Sequence, residues 1–480
     1  MENFELKPQL VFDYFSQINQ VPRPSKHEDK IIAFLQEFAK KNNLDCKTDA
    51  AGNVLISKPA TKGMESKPTI VLQSHMDMVC EKTSDCSIDF DNDPIETYID
   101  GEWMRAKGTT LGADDGIGCA IQMALLTDNT IEHGPIECLF TVDEETGLTG
   151  AFELKPGFFT GKYLLNLDSE DEGEIFVGCA GGANTEITLS LCFEQLKKSY
   201  FPLRISIDNL RGGHSGGDIH DHRANAIKIL SRFIYKEMNK YDVKLIDFQG
   251  GNLHNAIPRQ AEAIIAVPFD KKEDVRIDFN IFASEIESEY PDEKDVIFFL
   301  ESSLGHEQCI EQNQAEKIVN ALVAVYNGVY EMSVTIPGLV ETSTNLASAH
   351  FEEGKLKIVT SQRSSIGSQR EAMSATVASV FKLIGANVLT GDGYPGWKPN
   401  LDSKILKVAI ETYKQLFGKE PKVKAIHAGL ECGLFSEKYP GLDMISFGPT
   451  LRGVHSPDEA LLIPTVEMVW KHILAIISQI

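Results

Sequence analysis

Three short apolar runs in the N-terminal part of this chain each stop at a histidine or a carboxylate. That pattern constrains the fold more tightly than any bulk property. Thr69 to Ser74 ends at His75, Ile136 to Val142 ends at Asp143, and Tyr163 to Leu167 ends at Asp168. Short runs rich in branched residues read as buried strands. Asn53 to Ser57, after the turn at Gly52, reads the same way. Between them, residues 116–127 place Ile117, Ala120, Ile121, Ala124 and Leu125 at helical spacing. A capping box at Ser25 to Glu28 opens an earlier helix, with Ser25 as its N-cap. Strands alternating with helices predict an α/β domain with a mostly parallel, mixed sheet flanked by helices. Such sheets bind ligands beyond the carboxyl ends of their strands, where His75, Glu144, Glu145 and Asp168 fall.

A chain of 480 residues exceeds what one hydrophobic core usually supports. After Gly181-Gly182 the pattern changes. Leu203 to Ile207 and Leu356 to Ser361 are strand-like, and 223–237 and 370–384 are helical. From 397 the α/β pattern resumes, with a strand at Met444 to Phe447 and a last helix carrying Val466, Val469, Ile473 and Ile477. The expected organisation is a discontinuous catalytic domain, 1–182 and 397–480, interrupted by an inserted α+β lid domain, 183–396. Two related halves within the insert are an open alternative. The net charge of −24 argues against nucleic acid and anionic membranes as partners. The first residues lack the character of a signal peptide, and no apolar run is long enough to span a bilayer. Nine scattered cysteines without a CxxC pair read as reduced thiols, so a cytoplasmic location is expected.

Each polar motif has a chemical and a bland reading. His75 and Asp77 are two apart on an extended segment, so they share a face. A carboxylate there can fix the tautomer of a ligating histidine, or the two can be a hydrogen-bonded pair at a strand end. Asp114, after a glycine turn and before a helix, can bridge two cations; it or Asp115 can equally be an N-cap. Glu144 and Glu145 can divide metal binding and proton transfer between them, or form a solvated acidic loop. His455 lies in a loop before the last helix, where an ordinary loop histidine is the alternative. His214 lies in Gly212-Gly213-His214-Ser215-Gly216-Gly217. From such a loop it can reach an oxyanion, or it can simply sit on the surface. Imidazole and carboxylate donors together suit zinc, manganese or cobalt.

Seven motifs in order carry a resemblance. They are Ser74-His75-Met76-Asp77, Gly112-Ala113-Asp114-Asp115-Gly116, Asp143-Glu144-Glu145-Thr146-Gly147, Asn166-Leu167-Asp168, Gly212-Gly213-His214-Ser215-Gly216, His427-Ala428-Gly429-Leu430-Glu431 and Gly453-Val454-His455-Ser456-Pro457. On these the chain resembles the M20 metallopeptidases, in particular their Xaa-His dipeptidase branch. The resemblance implies two divalent metal ions, with zinc expected and cobalt or manganese as alternatives. It implies that His75 and Asp168 hold one ion, that Glu145 and His455 hold the other, and that Asp114 bridges. It further implies Glu144 as general base, Asp77 as support for His75, and a cis Asp114–Asp115 bond. His214 would contact the reacting carbonyl oxygen, and Asn255, Arg363 and Gly429 would bind the dipeptide substrate. A broader di- or tripeptidase, an N-acyl amino acid amidohydrolase and an inactive binding module are the alternatives. The resemblance also admits a homodimer.

Overall fold

In the computed structural model, which describes residues 6–480, the apolar runs form the middle of an eight-stranded sheet. Its strands are β1 (Asp45–Thr48), β2 (Val54–Lys58), β3 (Ile70–His75), β4 (Ile136–Thr141), β5 (Tyr163–Asn166), β6 (Glu174–Cys179), β7 (Lys422–Ile426) and β8 (Asp443–Ser446). They lie in the order β1-β2-β4-β3-β5-β8-β6-β7. β3 runs parallel to β4 and β5, and β8 runs parallel to β5. β1, β2 and β6 pair antiparallel at the flanks. β3 and β4 are buried at every position, which explains their unbroken apolar runs: both faces of the sheet are covered. Helix Ala113–Thr127 packs on β3 and on helix Gln9–Ile18. A four-stranded antiparallel sheet joins Leu451–Arg452 and Ala460–Leu462 to Trp103–Ala106 and Thr97–Asp100.

The chain divides into two compact units. The first runs to Cys179 and resumes over Trp397–Ala425 and Leu430–Ile480; the second is Ala180–Gly396 with Ile426–Gly429. The first switch falls ahead of Gly182 because Gly181–Ser190 is already a strand of the second unit. The short return at Ile426–Gly429 has no signal in the sequence.

The second unit is built on one nine-stranded sheet, to which Gly181–Ser190, Tyr200–Asp208, Val340–Glu352 and Lys355–Ser364 all belong. One core, with Ile205, Leu230, Phe233, Phe248, Ile265 and Ile318 fully buried, lies between that sheet and its helices. The strand-like runs Leu203 to Ile207 and Leu356 to Ser361 both lie in this sheet. Helix Ala226–Lys240 starts where the side chain of Asn225 accepts the N–H of Lys228.

The capping box is overturned. Helix Asp29–Lys41 begins after Glu28 without a side-chain cap. The Ser25 hydroxyl instead donates to Asp77 Oδ2 at 2.7 Å, and Glu28 Oε1 accepts from the N–H groups of Lys26 and Asp143 at 2.9 and 3.0 Å. A buried carboxylate and an orphaned buried N–H compete for these groups more strongly than a helix end that water can solvate. Among the described residues no helix is long and apolar enough to cross a membrane, and all nine cysteines are free.

Candidate active site

β3 delivers His75 to the carboxyl edge of the sheet, with the imidazole fully buried. Its Nε2 lies 3.1 Å from Asp114 Oδ1 and 3.5 Å from Asp168 Oδ1. Its Nδ1 lies 3.3 Å from Asp77 Oδ1. His455 Nε2 lies 3.1 Å from Asp114 Oδ2 and 3.0 Å from Glu145 Oε2. Asp114 therefore offers one oxygen to each histidine. Donor atoms of His75, Asp114 and Glu145 all fall within 4.8 Å of one another.

These side chains fit divalent cations. Each Nε2 faces two carboxylates, and one N–H cannot serve both. Glu145 Oε1 is buried without a hydrogen-bond partner. The acids are also short of positive charge. Burial first, then neighbouring carboxylates, pushes Glu144 well above the usual range, Asp168 up to about 6 and Glu431 up to about 8. Burial alone would lower His75, but Asp168, Asp114 and Asp77 raise it well above its ordinary value. Inward-facing imidazole nitrogens and carboxylate oxygens are the donor set that zinc-like ions accept.

The backbone explains how Asp114 comes free. The N-cap of its helix is Gly112, at φ 66°, and Asp114 and Asp115 depart from helical geometry across a cis peptide bond. Asp115 Oδ1 accepts the N–H of Gly118 at 3.2 Å. The capping task falls to Asp115, and the Asp114 carboxylate faces the two histidines. Asp77 does double duty. It flanks His75 and accepts the N–H groups of Glu144 and Glu145 at 3.1 and 3.4 Å. Asp143, which ends the apolar run in sequence, binds the hydroxyls of Thr146 and Thr149 and shapes the turn.

Sequence reasoning missed a buried polar layer under this edge. Gln73 Nε2 donates to Glu431 Oε2 at 2.6 Å and to Thr141 Oγ1 at 3.1 Å. Asn166 Nδ2 donates to Gln73 Oε1 at 2.6 Å, and the Ser446 hydroxyl donates to Asn166 Oδ1 at 2.5 Å. The signal was present as polar residues inside otherwise apolar strands. Glu459, four residues beyond His455, and the fully buried Arg23 were also missed.

The second unit gathers a different set. His214 Nε2 lies 3.4 Å from Arg363 Nη2, and Arg363 Nη1 donates to the Tyr394 hydroxyl at 2.9 Å. His214 Nδ1 accepts the N–H of Gly217 at 2.9 Å. Burial and Arg363 lower its affinity for a second proton. His427 Nε2 pairs with the Ser343 hydroxyl at 2.7 Å, and burial with Arg363 pulls its pKa down to about 3. The Asn255 carbonyl accepts the N–H of Ser215 at 2.8 Å, while the residue itself is exposed. At Gly429 a Cβ would lie 2.9 Å from the Tyr394 ring, so no side chain fits without displacing it. His214, Arg363, Asn255 and Gly429 thus belong to one unit, and the metal-type donors to the other.

The sequence profile of peptidase family M20/M25/M40 matches residues 71–479. The chain is 41% identical to the cytosol non-specific dipeptidase of Escherichia coli K12, over 99% of this chain and 98% of that protein. The crystal structure of aminoacylhistidine dipeptidase from Vibrio alginolyticus superposes with a TM-score of 0.92 at 42% identity, over 99% and 97% of the two chains. Aminopeptidase PepT from Bacillus cereus shares the fold, with a TM-score of 0.58 at 19% identity over 99% of each chain.

Proposed function

This chain belongs to peptidase family M20/M25/M40, and from that premise we propose that it is a dipeptidase acting on Xaa-His and related dipeptides with two divalent metal ions. The observation that carries the reading is Asp114, whose two oxygens face a buried histidine, His75, and a half-exposed one, His455, in an acid-rich cluster. In this reading His75 and Asp168 hold one ion, Glu145 and His455 hold the other, and Asp114 is shared. Such ions polarise a peptide carbonyl and acidify water.

The chain's own groups move the protons. Glu144 takes a proton from the attacking water as the water oxygen bonds to the carbonyl carbon. It passes that proton to the leaving nitrogen as the C–N bond breaks. Its raised proton affinity, from burial and from Asp168 and Glu145, suits both halves of that cycle. Asp77 holds the Nδ1 proton of His75 and leaves Nε2 for an ion. His214 donates its Nε2 proton to the carbonyl oxygen as negative charge develops there. Arg363 takes the substrate's terminal carboxylate bidentately, which favours short peptides with a free C-terminus. Asn255 and Gly429 bind the peptide backbone.

Zinc is the proposed ion, the cytoplasm the proposed location and a homodimer the proposed state. The homodimer draws support from the edge strand Ile297–Ser302, where Ile297 and Phe299 are exposed. A panel of Xaa-His dipeptides, other dipeptides, tripeptides and N-acetyl amino acids, assayed with zinc, cobalt and manganese, tests the reading. Hydrolysis of dipeptides in strong preference to the rest supports it. Comparable kcat/KM on tripeptides or N-acetyl amino acids replaces it with a broader peptidase or an amidohydrolase.

A further inference from the structure

One carboxylate ties the two histidine-facing loops together. Glu459 is 2% exposed and accepts four consecutive backbone N–H groups. Oε2 takes those of Leu111 and Gly112 at 2.7 and 3.0 Å; Oε1 takes those of Ala113 and Asp114 at 2.8 and 3.2 Å. On the same loop Arg23 Nη2 donates to the Gly112 carbonyl at 2.8 Å and to Asn19 Oδ1 at 3.1 Å. The fit is tight: a Cβ at Gly112 would lie 2.5 Å from Arg23 Nη2. The segment that ends in Asp114 is thus gripped through its N–H groups by Glu459 and through a carbonyl by Arg23.

The other end of the grip matters more. Glu459 follows His455 in the loop between Leu451–Arg452 and Ala460–Leu462. That loop is short and pinned at both strands, and the N–H of Glu459 itself donates to the Ser456 carbonyl at 3.0 Å. Moving the Glu459 carboxylate would therefore move His455 relative to Asp114, whose separation is 3.1 Å. His75 is tied to the Asp114 helix by a different route, its carbonyl accepting the Cys119 thiol at 3.2 Å, and not through Glu459. It stands on β3, and its relation to Asp114 runs through the packing of helix Ala113–Thr127 on that strand.

We propose that Glu459 is a positioning residue that sets the His455–Asp114 distance, and with it the affinity of the ion assigned to His455, Glu145 and Asp114. This rests on the two-ion reading above. Glu459 touches neither ion nor substrate. Its four N–H partners demand an acceptor on both oxygens, so Glu459→Gln turns an NH2 group toward two of them.

The test is zinc titration of the metal-stripped full-length protein, with ion content counted after dialysis. In Glu459→Gln one zinc stays as tight as in the parent and the other weakens about 10- to 100-fold, the usual cost of losing support behind a ligand. At fixed low zinc kcat falls, KM for a dipeptide stays within about two-fold, and added zinc restores kcat. In a His455→Ala background Glu459→Gln adds no further loss of zinc affinity. Two ions held with parental affinity, or both weakened alike, overturns the proposal. If Glu459→Gln does not fold, Glu459→Asp, which keeps the charge but withdraws it by one methylene, is titrated with the same expectations. A parent protein that binds no second zinc would instead sink the two-ion reading itself.

Discussion

The two units place chemistry on their scaffolds in opposite ways. In the first, donors stand at the ends of buried strands and at a broken helix start. They are mostly acids, and a layer of polar side chains hydrogen-bonded to one another lies under the same sheet edge. In the second, His214 rides on a glycine-rich loop, and Arg363 sits on a strand beside two imidazoles, His214 and His427, whose proton affinity burial and the guanidinium lower. One constellation accumulates negative charge, and the other sets the Arg363 guanidinium beside imidazoles and a phenol. The lesson is one of complementarity. Cations call for crowded carboxylates fixed by strand geometry, whereas a carboxylate and a developing oxyanion call for donors and a guanidinium.

The sharpest way to break the contrast is at Glu144. Glu144→Ala should keep both metal ions, counted by elemental analysis, and lose about 100- to 10,000-fold in kcat. Retained turnover would remove Glu144 from proton transfer, and lost metal would make it a ligand. Next is Arg363→Lys, which keeps charge but not the fork. It should lower kcat/KM for a dipeptide by about 10- to 100-fold, that is, one charged hydrogen bond of about 1.5–3 kcal/mol. A C-terminally amidated dipeptide should feel the substitution far less; equal losses on both substrates would detach Arg363 from the carboxylate.

The smallest expected effect concerns stability away from either constellation. In the second unit Glu237 is fully buried, with neither side-chain oxygen partnered. Burial, then Asp278, raises its pKa to about 7, above the ordinary carboxylate range. Its folded-state pKa is raised, so the unfolded chain releases this proton first. Stability is therefore greatest below pH 4.5 and declines as pH climbs to about 7, beyond which the penalty is constant. Glu237→Gln should flatten that slope and raise stability at pH 8 by about 1–3 kcal/mol in denaturant titrations. An unchanged slope would assign the pH response to other groups.

Much of the first unit was legible because strands buried on both faces write continuous apolar runs, and residues that interrupt them stand out. His75 and Asp168 were visible for that reason. Ser25 and Glu28 misled because a helix cap and a support for buried groups use the same residue types at the same spacing. Asp114 and Asp115 could not be separated in sequence, since the choice between cap and donor is made by backbone dihedrals. Glu431 and Gln73 were hidden by distance: they are far apart in the chain yet 2.6 Å apart in space. Glu459 was hidden because its partners are backbone N–H groups, which every residue carries.

The brief return of the chain to the second unit at Ile426–Gly429 has a consequence for anyone who shuffles these modules. The insert has two seams rather than one. A chimaera that exchanges only residues 180–396 would keep the host's His427 opposite a foreign Ser343, and the host's Gly429 beneath a foreign Tyr394. Swapping the insert faithfully means grafting a long segment together with a tetrapeptide far downstream. Natural recombination at a single pair of crossover points would produce mismatched hybrids, which favours inheriting the two units as one block.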